Sequence, residues 1–186
     1  MAADITGTFQ LGPDTGRVLI KTGRAGLAAR AGHDLTIEVT RWSARISVPA
    51  DGGVAAAEIT AELDLGALAV RAGTGGAKPL TDKDRGDILN QARKILGGGT
   101  ATFASTRVIP GPSSGGAVEG TASFNGRSRP VRLQITGSGP YRGSATIKQT
   151  DFGITPYSGF FGALKLRDEV GIEFEVSLER AASARS

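Results

Sequence analysis

The side chains with the clearest capacity for chemistry are the neighbouring His33 and Asp34. The chain has a single histidine, so this is its one histidine–carboxylate pair. A histidine base activates a hydroxyl nucleophile, such as that of Ser105 or Ser158, only within hydrogen-bond reach, and we identify no Gly-x-Ser-x-Gly elbow in the sequence. Three roles therefore stay open for His33: a structural donor at a strand start, a polar contact at a pocket mouth, or a base in a small hydrolase or isomerase.

Four glutamates recur at spacings that invite an acid–base interpretation: Glu58, Glu62, Glu173 and Glu175. A glycosidase-type pair needs two carboxylates on either side of one bond. These four instead alternate with apolar residues, which is typical of the solvated face of a strand. We therefore assign no catalytic residue and expect a protein that is not an enzyme.

Metal and nucleic-acid functions are disfavoured by composition. Cysteine is absent and histidine occurs once, which leaves no thiolate and no usual zinc ligand set, so we expect no metal and no cofactor. The net charge is +4, and aromatic residues make up 5% of the chain. Nucleic-acid surfaces combine a basic stripe with stacking rings, so we interpret the arginines at 127, 129, 132 and 142 as a solvated basic edge.

Strands must position these residues, and the last third of the chain shows them best. In the final run, Val170, Ile172, Phe174 and Val176 alternate with polar residues, the period of a half-buried strand. The connection before it is far more apolar than a surface loop normally is. We expect it to fold over an apolar interior as a lid or mouth; its apolar members are Phe152, Ile154, Tyr157, Phe160, Phe161 and Leu164.

The other elements follow from local patterns. A hairpin is predicted around the turn at residues 12–16, and the apolar parity slips near Thr40-Arg41 as at a bulge or bend. Residues 81–96 have the period of an amphipathic helix with Thr81 as N-cap and Gly97 after its end. Asn125-Gly126 predicts a two-residue hairpin loop. Residues 25–32 stay undecided between helical turn and loop.

The pattern adds up to eight or nine strands and one helix. A sheet that is apolar on one face must cover that face and protect its edges, and closure into a barrel does both. We expect one domain over residues 1–180 and a flexible tail over 181–186. The N-terminus carries no secretory signal pattern and no apolar run approaches the ~18 residues needed to span a bilayer, so we expect a cytoplasmic location.

Several segments in this order resemble the YceI-like family. They are residues 100–108, 118–131, 147–154 and 168–170, with a charged helix start at 83–85 before Ile88-Leu89. The resemblance implies an all-β fold, an antiparallel eight-stranded lipocalin-like β-barrel with one helix. It also implies that the barrel holds a polyisoprenoid, such as a polyprenyl chain or an isoprenoid quinone, for storage or transport.

The inward-facing residues leave two interpretations of the interior. The larger ones are Phe103, Phe124, Leu133, Ile135, Ile147 and Phe174. They either pack the barrel solid, giving a ligand-free interaction or stress-response module, or line a cavity, since inward alanines such as Ala61, Ala101 and Ala122 leave volume. For a lipid carrier we expect head-group contacts from His33, Arg127 or Arg129 and transient contact with a membrane surface. The oligomeric state stays open, with a homodimer as one candidate.

Overall fold

The computed structural model describes residues 5–178, and the predicted tail at 181–186 lies outside that range. Within it, fourteen strands accompany one α-helix, α1 (Asp82–Leu96). The strands are β1 (Gly7–Leu11), β2 (Gly16–Thr22), β3 (Arg24–Ala25), β4 (Asp34–Val39), β5 (Trp42–Val48), β6 (Glu58–Asp64), β7 (Leu68–Thr74), β8 (Thr100–Pro110), β9 (Gly116–Phe124), β10 (Arg127–Thr136), β11 (Tyr141–Lys148), β12 (Ser158–Gly159), β13 (Leu164–Leu166) and β14 (Glu169–Val176).

Eleven of these strands form one sheet, in the order β1-β5-β6-β8-β9-β10-β11-β14-β2-β4-β7. All of its pairings are antiparallel. The sheet curls around an apolar interior to which every one of the eleven strands contributes a side chain. The predicted fold class, an antiparallel lipocalin-like β-barrel with one helix, is confirmed.

The predicted eight strands appear as eleven because three long strands are each interrupted once. β1 pairs with β5 while β2 pairs with β4, and β5 pairs with β6 while β4 pairs with β7. Each of the pairs β1–β2, β4–β5 and β6–β7 is therefore one long strand with a break. The long β4–β5 strand completes the ring, since its first half joins β2 and its second half lies against β6.

The predicted hairpin at residues 12–16 is wrong. Thr15 N–H does donate to the carbonyl oxygen of Gly12 at 3.0 Å, as in a tight turn. However, β1 and β2 run in the same direction along successive halves of the β4–β5 strand, so the turn is a kink within one strand. Turn residues specify local backbone angles, whereas the partner of a strand is decided by long-range pairing.

The slip in apolar parity near Thr40-Arg41 marks the bend between β4 and β5. In the neighbouring long strand, the core-facing positions change parity at the matching place, between β6 and β7. Core-facing positions are odd-numbered in β4 and β6 and even-numbered in β5 and β7. Thr40 N–H donates to Ala67 O at 2.8 Å and Asp64 N–H donates to Arg41 O at 3.0 Å. The ladder therefore continues through two matched bends.

The hairpin predicted at Asn125-Gly126 is confirmed. Arg127 lies opposite Phe124, which leaves a loop of those two residues between β9 and β10. Their φ angles are 52° and 69°. Positive φ at both positions defines the turn type whose twist matches the flanking strands.

The predicted helix is also confirmed, including its ends. Thr81 Oγ1 accepts from Asp84 N–H at 3.2 Å, and the Asp84 carboxylate accepts from Thr81 N–H at 2.8 Å, a reciprocal capping box. Gly97 ends the helix with φ of 65°. Ile88 and Leu89 pack on the cluster of Leu35, Ile37 and Val70, so α1 covers β7 at one end of the strand order.

Residues 25–32 and the apolar connection build a second, smaller sheet. Its order is β12-β13-β3, and short 3-10 helices adjoin it at Ala29–Ala31 and Phe160–Gly162. It lies at the barrel end where β2 finishes and β14 begins. We call β3, β12 and β13 the cap sheet.

Candidate ligand-binding cavity

The interior of the barrel is a cavity of about 430 Å³. Binding pockets for small molecules usually measure about 300–1,000 Å³ and are lined mainly by apolar groups. This one draws its lining from all eleven strands of the main sheet and from Ala92, Ile95 and Leu96 of α1. The helix is therefore part of the cavity wall as well as an edge cover.

The lining contains no charged side chain among the described residues. Its polar members are Thr22, Thr102, Ser123, Gln149 and the two phenols Tyr141 and Tyr157. The cavity is suited to hold an extended apolar molecule.

Small inward residues explain why the barrel is hollow. The strands place alanines on the cavity wall at positions 44, 61, 101, 122 and 145. Gly120 and Gly143 have a different role: a Cβ at Gly120 would clash with the ring of Phe103, and one at Gly143 would clash with the ring of Phe174. Each ring packs directly against a glycine, so it lies closer to the wall than a larger residue at the glycine position would allow.

Nine of the twelve residues predicted to contact a lipid line this cavity. They are Phe103, Phe124, Leu133, Ile135, Ile147, Phe152, Ile154, Tyr157 and Phe174. Phe152 and Ile154 are also buried, with 4% and 8% of their surface exposed. The first half of the apolar connection thus covers one end of the barrel.

Three predicted residues lie elsewhere. Phe160 and Phe161 are among the most exposed apolar side chains of the described chain. Leu164 is half-buried in β13, with its methyl group 2.7 Å from a Cβ placed at Gly32. The connection therefore has an inner half on the cavity and an outer half that points away from it.

His33 lies outside the cavity lining. Its Nε2–H donates to the carbonyl oxygen of Lys78 at 2.7 Å, and its ring covers Gly76, so it anchors the loop before α1. No hydrogen bond joins His33 to Ser105 or Ser158 within residues 5–178; Ser105 Oγ accepts instead from Ile59 N–H at 2.8 Å.

A Gly-x-Ser-x-Gly sequence does occur, at residues 111–115, but in a different setting from a nucleophile elbow. It forms the loop between β8 and β9, closed by Gly111 N–H donating to Gly115 O at 2.8 Å. The elbow of hydrolases is a strand–turn–helix structure. A loop between two strands lacks the helix N-terminus that this geometry requires.

Arg127 and Arg129 share the inward parity of β10 with the cavity residues Val131, Leu133 and Ile135. Both are exposed, opposite Phe124 and Ala122, which line the cavity. β10 pairs with β11 only across Gln134–Thr136. The two arginines therefore lie in the part of β10 that has no hydrogen bonds to β11. Neither forms an ion pair with a described residue.

A carboxylate clamp fixes the segment beneath the cap sheet. The Asp168 carboxylate accepts from Thr150 N–H at 2.8 Å and from Thr150 Oγ1–H at 2.6 Å. These bonds, the side-chain bond first, hold the pKa of Asp168 below its ordinary value. The clamp ties the cavity-lining segment 149–154 to the start of β14.

Several cavity residues escaped the sequence-based prediction. They include Trp42, Tyr141, Gln149, Leu166 and the helix residues Ala92, Ile95 and Leu96. The inward parity of Trp42 and Tyr141 is a usable signal, whereas nothing local indicates which face of the helix meets the cavity. Within residues 5–178 no cluster of three potential metal ligands occurs, and no helix is long and apolar enough to cross a bilayer.

Comparison with known proteins places this architecture. A family model described as YceI-like domain matches residues 9–178, and a search of curated proteins gives no match. The structure of BcnA from Burkholderia cenocepacia aligns with a TM-score of 0.61 at 16% identity, covering 88% of this chain and 96% of that one. A mutant of the CJ YCEI protein with a monobromobimane guest gives 0.51 at 16% identity, over 78% of this chain and 85% of that one. At this identity the structural matches establish the fold alone.

Proposed function

The chain belongs to the YceI-like family, and from this membership and its interior we propose that it binds, stores or carries a long apolar amphiphile of polyisoprenoid type. The observation that carries the proposal is a cavity of about 430 Å³ that no charged side chain of residues 5–178 lines. We propose a binding role without catalysis, performed by one barrel domain. The cytoplasmic location stays a prediction.

The energetics favour a carrier that exchanges its ligand. Burying about twenty ligand carbons at ~0.8 kcal/mol each gives on the order of 16 kcal/mol relative to water, and the cost of ordering ligand and protein removes a large part of that. Relative to a bilayer the gain is near zero, because the lipid chain is already in an apolar phase. A protein of this kind can therefore load from and deliver to membranes.

We place the head group near Arg127 and Arg129. They continue the inward face of β10 beyond the last cavity-lining residue, and guanidinium groups bind phosphate and carboxylate groups in bidentate geometry. On this proposal an Arg127→Ala, Arg129→Ala variant loses preference for a polyprenyl phosphate over the neutral alcohol. An unchanged preference would remove the arginines from the site.

Mass spectrometry of an organic extract tests the function directly. Protein purified without detergent should yield an amphiphile in stoichiometric amount. A solid or empty interior would yield none, even after incubation with polyprenyl lipids, and would leave a ligand-free interaction module.

A pair of neighbouring substitutions tests the cavity. Ala145 faces the cavity and Thr146 faces solvent on the same strand. We expect Ala145→Phe to reduce the bound lipid severalfold and Thr146→Phe to leave it unchanged. The fluorescence of Trp42, the single tryptophan and a cavity residue, reports both loading and intact folding. Equal lipid content in the two variants would place the ligand elsewhere.

A further inference from the structure

Three exposed apolar side chains come together beside the cap sheet. Leu27 and Phe161 are fully exposed and Phe160 is 67% exposed. Their segments are joined because β3 pairs with β13, and because Ala28 N–H donates to the carbonyl oxygen of Ala163 at 2.9 Å. We call these three residues the apolar tip.

The backbone of the tip is held in an unfavourable conformation. Phe160 and Phe161 have φ angles of 48° and 54°, in the left-handed region that residues with a Cβ rarely adopt. Two adjacent phenylalanines thus combine a strained backbone with largely exposed side chains. Strain of this kind persists mainly at functional sites, and the core gains nothing from these rings.

Three cationic side chains lie on the segments that carry the tip: Lys165 Cε is 3.6 Å from a Cβ placed at Gly162, and Arg167 lies farther along, over Gly23. Arg30 lies in the 3-10 helix that follows Leu27, Lys165 in β13 and Arg167 directly after β13, and all three are exposed. Residues 23–33 and 155–167, which build the cap sheet and its turns, contain no aspartate or glutamate. We call Arg30, Lys165 and Arg167 the basic collar.

The same sheet reaches the cavity on its other side. Tyr157 and Leu166 line the cavity, and Leu166 N–H donates to Tyr157 O at 3.0 Å. Between these two residues the chain runs out to Phe160 and Phe161 and returns. A binding partner of the apolar tip therefore contacts the cap sheet, which covers this end of the cavity.

We propose that the apolar tip and the basic collar form a docking surface for an anionic lipid bilayer. Exposed aromatic rings insert at the boundary between head groups and acyl chains, and neighbouring cations bind anionic head groups. The combination of apolar and cationic groups without carboxylates matches a bilayer better than it matches a protein groove. The inference of docking depends only on the apolar tip and the basic collar. The purpose of docking, which is ligand exchange through the capped end of the barrel, rests on the proposed function.

Sedimentation of the full chain with vesicles tests the surface. We expect binding to phosphatidylcholine vesicles that contain phosphatidylglycerol. Phe160→Asp with Phe161→Asp should weaken it at least about tenfold, since full burial of one such side chain is equivalent to about a tenfold factor or more. The matched control is Ser144→Asp with Thr146→Asp, which adds the same charge at two exposed positions on the outer face of β11 and should bind as the wild type does.

The collar has its own test. Lys165→Glu with Arg167→Glu should weaken binding at least about fivefold on anionic vesicles. It should have little effect on pure phosphatidylcholine, and added salt should remove the difference. Both tip positions and both collar positions are exposed, so Trp42 emission should be unchanged in every variant.

Three outcomes would overturn the proposal. They are a wild type that ignores vesicles, a double phenylalanine variant that sediments with them as the wild type does, and a tip that instead mediates self-association abolished by the same double substitution. The lipid content of the purified protein is measured separately. A protein that carries lipid but ignores vesicles contradicts the docking surface alone, whereas one that docks with an empty cavity contradicts the carrier function alone.

Discussion

Phe161 combines an unfavourable backbone conformation with a fully exposed side chain. It has φ of 54° and ψ of 34° within the 3-10 helix Phe160–Gly162. For a residue with a Cβ this conformation costs roughly 1–2 kcal/mol, and an exposed ring adds no packing in return. The native sequence at this position therefore lowers the stability of the fold.

Replacing Phe161 by glycine should stabilise the protein. We expect Phe161→Gly to exceed Phe161→Ala in free energy of unfolding by about 1 kcal/mol, because alanine keeps the Cβ that makes this backbone conformation unfavourable. Urea unfolding measures the difference. Equal stability of the two variants would show that the backbone at 161 relaxes on substitution.

The sequence was informative about this loop only up to a point. Its apolar composition predicted that it covers an apolar interior, and Phe152, Ile154 and Tyr157 do line the cavity. The outward direction of Phe160 and Phe161 depends on consecutive left-handed residues, which neither glycine nor asparagine supplies here. No propensity would predict that conformation for phenylalanine.

Among the elements, the segment 149–154 depends on the clamp between Thr150 and Asp168. The hydrogen bonds from Thr150 keep the pKa of Asp168 below its ordinary value. A carboxylate whose pKa is lower in the folded state stabilises the protein above its unfolded pKa of ~3.9, and this contribution disappears as the pH falls through the folded pKa. The clamp therefore weakens in acid.

Thr150→Val removes the larger of the two hydrogen-bond contributions without changing the size of the side chain. The variant should be less stable than the wild type at neutral pH, and the difference should shrink as the pH falls below about 4. Urea unfolding at a series of pH values measures it. Thr146→Val, at an exposed position of β11, is the control whose effect should not depend on pH.

The helix cap gives a second prediction at this scale. Thr81→Ala removes the side-chain acceptor for Asp84 N–H and should lower the free energy of unfolding by about 1 kcal/mol. Thr81→Ser retains the hydroxyl and should lose little. An alanine variant as stable as the serine variant would mean that Asp84 alone maintains the cap.

Elements with local chemistry were predictable, and those defined by distant partners were not. The capping box of α1 and the Asn125-Gly126 turn each depend on residues that are close together in the sequence. The turn at 12–16 is equally clear in sequence, but its strands pair with β4 and β5 and not with each other. The alternation in β7 is short and contains small residues, so the place of this strand is set by its pairing with β4.

At the scale of the molecule, the proposed function ties the stability of the fold to occupation of its cavity. A ligand that binds only the folded state stabilises it by about 2.7 kcal/mol when its free concentration is a hundred times its Kd. We expect the lipid-extracted protein to have a lower Tm than the loaded one, measured by calorimetry. Ala145→Phe, which fills part of the cavity, should show a smaller difference between the two forms; an equal difference would place the stabilising ligand outside the barrel.

Whether the barrel was hollow could not be decided from the sequence alone. The sequence shows both the inward alanines, which leave space, and the inward phenylalanines, which are large enough to fill it. The outcome depends on Gly120 and Gly143, over which the rings of Phe103 and Phe174 lie. Such cross-strand neighbours become known only with the register of the sheet.

The matched bends at Thr40-Arg41 and in the β6–β7 connection constrain how this chain can change length. Deleting one residue from the bend at Thr40-Arg41 alone would turn the inward residues of β5, such as Trp42 and Ala44, toward solvent. It would also place Arg45 in the apolar interior. A compensating deletion in the second bend would keep the two strands in step with each other, yet both would still face the wrong way relative to β1 and β8. Insertions and deletions in descendants of this gene should therefore avoid these two places and collect in the loops at the barrel ends.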